Sequence, residues 1–169
     1  MTILESNIFI TGNLEGLDFS RKNISIWIHA LVTVEESINE LITGKELNLS
    51  FVSRAEIQDL NRRFLNKDKP TNVLSFPSSV EDSSQNLLGD IAICPDIIKS
   101  DSLEQGKTEL DHLIHLIIHS VLHLVGYDHQ DKKSEMDMEA IEIKVLQKLG
   151  IANPYWNNLS CASVYEVRR

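Results

Sequence analysis

Three histidines stand in the stretch HSVLHLVGYDH: His119, His123 four residues on, and His129 six residues after that. Side chains four apart on a helix share a face, with Cβ atoms about 5–6 Å from each other, so two imidazoles at that spacing can reach one ion. Gly126 lies between the second and third histidines. Glycine accepts the left-handed backbone that ends a helix, and the turn it makes lets His129 come back to the same ion. Imidazole nitrogen is a preferred ligand of Zn²⁺ at roughly 2.0–2.1 Å, and three protein ligands with a fourth position left to water mark a catalytic site rather than a structural one. Water on such an ion ionises at about pH 7.

The same His-x3-His-x2-Gly-x2-His spacing serves one class of zinc peptidases, where a glutamate after the first histidine takes a proton from the metal-bound water. Here that position is Ser120. Serine cannot act as that base at neutral pH, and losing it removes roughly 10²–10⁴-fold of rate. The spacing therefore supports a metal while Ser120 argues against peptide hydrolysis. Phosphodiester cleavage fits better, because its main demand is charge stabilisation on phosphate oxygens and RNA carries its own 2′-hydroxyl nucleophile.

His112 and His115 fall on the same helical arc as His119 and His123, but His112 and His119 are separated by roughly 10 Å along the axis and cannot share an ion. His115 reads as a satisfied helix histidine or a pocket wall rather than a ligand. Asp128, beside His129, is either an acid that orients a ligand or a surface acid.

These residues need a rigid helix, a turn, and elements to pack against. Apolar spacing predicts a helix over 108–125, apolar nearly all round and so central and buried. A longer amphipathic helix is predicted over about 20–42 and another over about 133–149. Ser53 and Glu56 have the spacing of a capping box opening a helix that carries Ile57, Leu60 and Phe64. Pro95 suits the first turn of a further helix. Strands are expected at 3–10 (an edge strand), 47–51, 72–76 and 88–94, with a polar loop over 78–86 and an irregular tail from about 151. The order is α+β: a small mixed sheet packed with helices around a central buried helix that carries a zincin-like metal site.

The chain has 169 residues, 42% hydrophobic and 24% charged, which suits one domain over 1–169. A net charge of -9 argues against a general nucleic-acid coat, though not against a local basic patch. Cys94 and Cys161 stand far apart with no CxxC, and the start has no basic region before an apolar run, so a cytoplasmic protein without a membrane span is expected.

HSVLHLVGYDH resembles the H-G-x-L-H-L-x-G-Y-D-H signature of the bacterial YbeY endoribonucleases. NKDKPTNVLSFP (Asn66–Pro77) is similar to that family's K-D-x-P-T-[DN]-V-L-S-F-P segment, and LLGDIAIC (Leu87–Cys94) to its L-G-D-I-x-I strand. The three occur in the family's order, so the resemblance covers about residues 45–150. It implies one Zn²⁺ per chain on His119, His123 and His129. It implies single-strand RNA cleavage in 16S rRNA 3′-end maturation and ribosome quality control, and partners at the small ribosomal subunit, with a ribosomal protein or an assembly GTPase among them.

Two departures stand out. Ser120 replaces a glycine, a small change on a helix. Leu65 occupies the place of an arginine whose guanidinium would suit a phosphate. Arg62 or Arg63 could reach in from the preceding turn, although adjacent helical positions point elsewhere by about 100° each. The departure implies weakened cleavage with fold and metal binding kept, or a non-catalytic zinc-bound assembly factor; a metallopeptidase is the remaining alternative. Arg62, Arg63, Lys67 and Lys69 lie in a stretch that could guide RNA or be a solvated face. Phe76 could stack a base or pack in the core. The acids from Asp128 to Glu142 read as a solvated helix start, and Asp90 as a residue fixing a turn.

Overall fold

The structure is a computed structural model that describes residues 5–14, 16–79 and 86–156. Positions 3–4 of the expected first strand, 80–85 of the polar loop, and the tail from 157, with Cys161, lie outside the described residues.

Four strands form one mixed sheet: β1 (Ile8–Gly12), β2 (Glu46–Phe51), β3 (Val73–Pro77) and β4 (Leu87–Ile93), in the order β1-β2-β4-β3. β1 and β2 are parallel, β2 and β4 are parallel, and β3 runs antiparallel to β4. The expected α+β class is present, and so is an edge strand, but it is displaced to Ile8–Gly12: Glu5–Asn7 of the expected span form a 3-10 turn.

Successive residues of a strand point to opposite faces, and the sheet uses both. Leu47, Leu49, Phe51, Val73, Ile91 and Ile93 enter the main core chiefly with residues of α1 (Arg21–Val34), α5 (Glu109–Leu124) and α6 (Lys132–Lys148), joined by Ile42 and Ile98. Leu74, Ala92 and Cys94 join Ile57 of α3 (Arg54–Leu65) in a smaller cluster, with Leu65, Phe76 and Ile97 of α4 (Pro95–Gln105) packed against it. Away from that cluster β2 and β4 carry polar groups: Asn48 Nδ2 donates to Asp90 Oδ1 at 2.8 Å. Asp90 thus belongs to a cross-strand pair in mid-strand rather than to a turn.

The helix expected over 20–42 is broken. α1 ends at Val34, Glu35 leaves the helical region at φ -129 and ψ 85, and a 3-10 turn (Glu36–Ile38) leads into the short α2 (Asn39–Ile42). The β-branched run Val32-Thr33-Val34 favours helix poorly, and the Glu35 carboxylate accepts from Ser37 N, which opens the next turn instead. α3 begins with the expected capping box and stops at Leu65, four residues before the Lys69-Pro70 break, because Asn66 takes the left-handed conformation (φ 57). Asparagine tolerates that conformation better than most residues.

α5 is the central helix: from His112 to Leu124 every residue but His123 is buried. Thr108 caps its start by accepting from Asp111 N at 3.0 Å. Its end is a Schellman turn, with Tyr127 N donating to Leu122 O and Gly126 N to His123 O, and Gly126 at φ 101. Gly89 lets three elements meet: a Cβ there would stand 2.6 Å from both the Leu124 side chain of α5 and the Phe76 carbonyl of β3. β3 and β4 are thereby held against the end of α5 that carries His123.

Candidate metal centre

The Schellman turn brings His129 back toward the helix. One ring nitrogen each from His119, His123 and His129 lies within 4.8 Å of the others. His119 Nε2 and His123 Nε2 are 3.1 Å apart. His129 Nε2 is buried and has no hydrogen-bond partner among the described residues. Two nitrogens on one tetrahedral ion at roughly 2.0–2.1 Å would stand about 3.3 Å apart, so the cluster has the dimensions of a zinc site. An orphaned buried nitrogen otherwise costs about 1–3 kcal/mol, and a cation removes that cost. The residues fit a zinc ion.

The electrostatics agree. His123 is pushed down to about 3, by burial first and then by His119 and His129. It therefore keeps a free lone pair through the physiological range.

A carboxylate outside the expected set supports the first ligand. Glu142 of α6 is fully buried, and its Oε1 accepts from His119 Nδ1. Its Oε2 accepts from His115 Nε2 at 3.0 Å and from the Tyr155 hydroxyl. Burial opposes the charge of Glu142, yet His119 and His115 beside it hold its carboxyl well below the usual range. An ionised carboxylate only accepts, which makes His119 an Nδ1–H donor and turns its Nε2 toward the cluster. His115 is satisfied by Glu142 and packs edge-on to the Tyr155 ring, centroids 5.5 Å apart. Burial pushes His115 down, while Glu142 pulls the other way.

Glu142 thus corrects the reading of the 128–142 acids as a solvated helix start. Its position was legible in part. Met138, Glu142, Val145 and Leu146 recur at helical spacing on the buried side of α6, so one acid sits inside an apolar stripe. Tyr155 lies in a segment with no such periodicity and gave no signal.

The other candidates fall as follows. Asp128 Oδ1 accepts from Gln130 N at 2.6 Å and closes the turn on which His129 rides. Ser120 is fully buried and its hydroxyl has no partner among the described residues; as a serine it supplies no base at the position where a peptidase needs one. His112 Nε2 lies 3.4 Å from Asp101 Oδ2, which also accepts from Asn72 Nδ2, tying α4, α5 and the start of β3 together. Arg62 and Arg63 are exposed on α3, both against Asp59 at 2.5 and 3.5 Å. Lys67 is half-buried and Lys69 exposed in the loop after α3, where Asn61 Nδ2 donates to Lys69 O at 2.8 Å. Leu65 packs against the smaller core cluster. Phe76 also packs there and meets Phe64 edge-on, at 5.1 Å between centroids. Among the described residues, no helix is long and apolar enough to cross a membrane.

The sequence pattern described as Endoribonuclease YbeY matches residues 10–150. The Endoribonuclease YbeY of Colwellia psychrerythraea is 45% identical over 138 residues, covering 80% of this chain and 87% of that protein. That of Francisella tularensis subsp. novicida is 49% identical over 119 residues, covering 68% and 74%. A solution structure from Thermotoga maritima superposes with a TM-score of 0.54 at 30% identity, covering 85% of this chain and 91% of the other. With the histidine turn, the sheet and these likenesses in agreement, the chain belongs to the YbeY endoribonuclease family.

Proposed function

We propose that this chain is a zinc-dependent endoribonuclease of rRNA processing, one YbeY-like domain that cuts single-stranded RNA in 16S rRNA 3′-end maturation and ribosome quality control in the cytoplasm. Family membership supports the endoribonuclease role in rRNA processing. The observation that carries the metal reading is the convergence of three ring nitrogens, with His129 Nε2 buried and lacking a hydrogen-bond partner among the described residues. In this reading His119, His123 and His129 hold one Zn²⁺, which when bound supplies a Lewis acid for a phosphate oxygen or an activated water.

The remaining chemistry belongs to the chain's own side chains. Glu142 fixes the His119 ring. Asp128 shapes the turn that presents His129. Arg62, Arg63 and Lys69 offer positive charge to the RNA backbone from α3 and the loop after it, while Lys67, whose ammonium nitrogen is buried, contributes from beneath that surface. The partners are rRNA and the small ribosomal subunit, with a ribosomal protein or an assembly GTPase alongside.

The test is cleavage of a single-stranded RNA oligonucleotide by purified protein, with and without chelator, beside a His123→Ala control. Cleavage should stop with chelator, return with added zinc and be absent from the variant. Cleavage that survives both treatments overturns the metal-dependent reading. One observation favours a second reading, a zinc-bound assembly factor of weak or no activity. Leu65, at the family's arginine position, contributes packing against an apolar cluster and no donor. Zinc retained with no RNA cleavage would select it.

A further inference from the structure

The network beneath the metal cluster assigns a role to a residue outside the ligand set. We infer that Glu142 is the positioning residue of this site: its carboxylate sets the tautomer of His119 and so aims a lone pair at the metal. The inference rests on the proposed metal reading and deepens it.

Three donors converge on the two oxygens in a divided way. His119 Nδ1 donates to Oε1, while His115 Nε2 and the Tyr155 hydroxyl donate to Oε2. Two donors on Oε2 fix the carboxylate plane, so Oε1 faces His119. The residues come from three places: His115 and His119 from adjacent turns of α5, Glu142 from α6, and Tyr155 from the segment after α6. His115, His119 and Glu142 are each at most 4% exposed, so water does not compete for these bonds.

The same atoms could be read as a second metal site, since His115, His119 and Glu142 also offer ligand atoms within 4.8 Å of one another. The hydrogen bonds decide against it. Each of the nitrogens that would bind already donates to the carboxylate, and an ion would have to displace those protons. The arrangement is that of a carboxylate behind a ligating histidine, which fixes ring orientation and raises ligand basicity.

The experiment needs a readout besides cleavage. Two-bond ¹H–¹⁵N spectra of the metal-free protein, with histidine labelled on the ring, report each tautomer. Zinc affinity is read by competition with a chromophoric chelator. Wild type should show His119 protonated on Nδ1. Glu142→Ala should lose that preference and weaken zinc by roughly 10–100-fold. Glu142→Gln is nearly isosteric and secures the test should the alanine variant fail to fold. Its amide accepts on one side only: with the oxygen toward the two donors His115 and Tyr155, the NH2 faces His119 Nδ1, so the Nδ1–H preference should be lost and zinc should weaken by roughly tenfold or more. Tyr155→Phe should keep the tautomer and weaken zinc less than Glu142→Ala.

A wild-type His119 protonated on Nε2 and not on Nδ1 overturns the inference, as does a zinc affinity unchanged in Glu142→Gln or in a folded Glu142→Ala. Failure of the underlying reading looks different. Wild type then binds no zinc, although Glu142 still governs the His119 tautomer.

Discussion

His119 Nε2 and His123 Nε2 stand 3.1 Å apart, within the spacing two ligands of one ion require. Without a proton or a cation between them, two lone pairs would face each other. Zinc should therefore bind the folded protein selectively. Ligand at about 1,000 times its dissociation constant stabilises a protein by about 4 kcal/mol. Chelator should lower the melting temperature, and zinc should restore it. In His123→Ala and in His129→Ala, scanning calorimetry should show no response to either. A melting temperature in wild type that ignores chelator and zinc would count against the site.

The metal-free protein should weaken in mild acid. Burial pushes His123 down to about 3, below the ordinary value of a free histidine. The unfolded chain then binds a proton at a higher pH than the folded one does. Stability is complete above about pH 6.5 and falls as pH drops from there toward 3, by about 1.4 kcal/mol per pH unit for one proton. Glu142 adds to the loss at lower pH, because its carboxyl is held below the ordinary range and its stabilisation disappears as the solution becomes acidic enough to protonate it. Denaturant melts of chelator-treated protein at pH 7.5, 6.0 and 5.0 should show a steady decline. Mutating His123 to Phe should flatten the slope between pH 6.5 and 5.

Ser120 buries a hydroxyl that has no partner among the described residues. An unsatisfied buried donor costs about 1–3 kcal/mol. Ser120→Ala removes the group at little change in volume and should stabilise the protein by about 1 kcal/mol, or about 2–4 °C in melting temperature for a chain of this size. Zinc affinity should not change, because the hydroxyl touches none of the ligand atoms in the hydrogen-bond network.

Leu65 ends α3, packed against the cluster of Ile57, Leu74, Ala92 and Cys94. Arginine there would add a forked cation of the kind that suits a phosphate, while losing apolar packing worth about 1–2 kcal/mol. Leu65→Arg should raise the rate of single-strand RNA cleavage and lower the melting temperature by a few degrees. An unchanged rate in a folded variant would count against any influence of position 65 on cleavage.

Much of the site was written locally. The spacing of His119 and His123, the glycine that turns the chain at 126 and the caps at Ser53 and Thr108 act over a few residues, and the structure follows them. Strand positions were legible because alternation of apolar and polar residues reports burial on one face. Where local signals competed, the reading failed. The 20–42 helix had continuous apolar spacing, yet Glu35 could open a new turn by accepting from Ser37, and that contact decided the break.

By itself, then, the sequence determined the helix, the turn and three histidines placed to meet. Tertiary structure alone decided that Glu142 lies beneath them. An acid on α6 is solvated or buried according to what packs over it, and its partners His115 and His119 are 27 and 23 residues away. The charge is tolerated in the core only because three donors, two from α5 and one from the segment after α6, arrive together on a carboxylate of a third element, a condition that no short stretch of sequence contains.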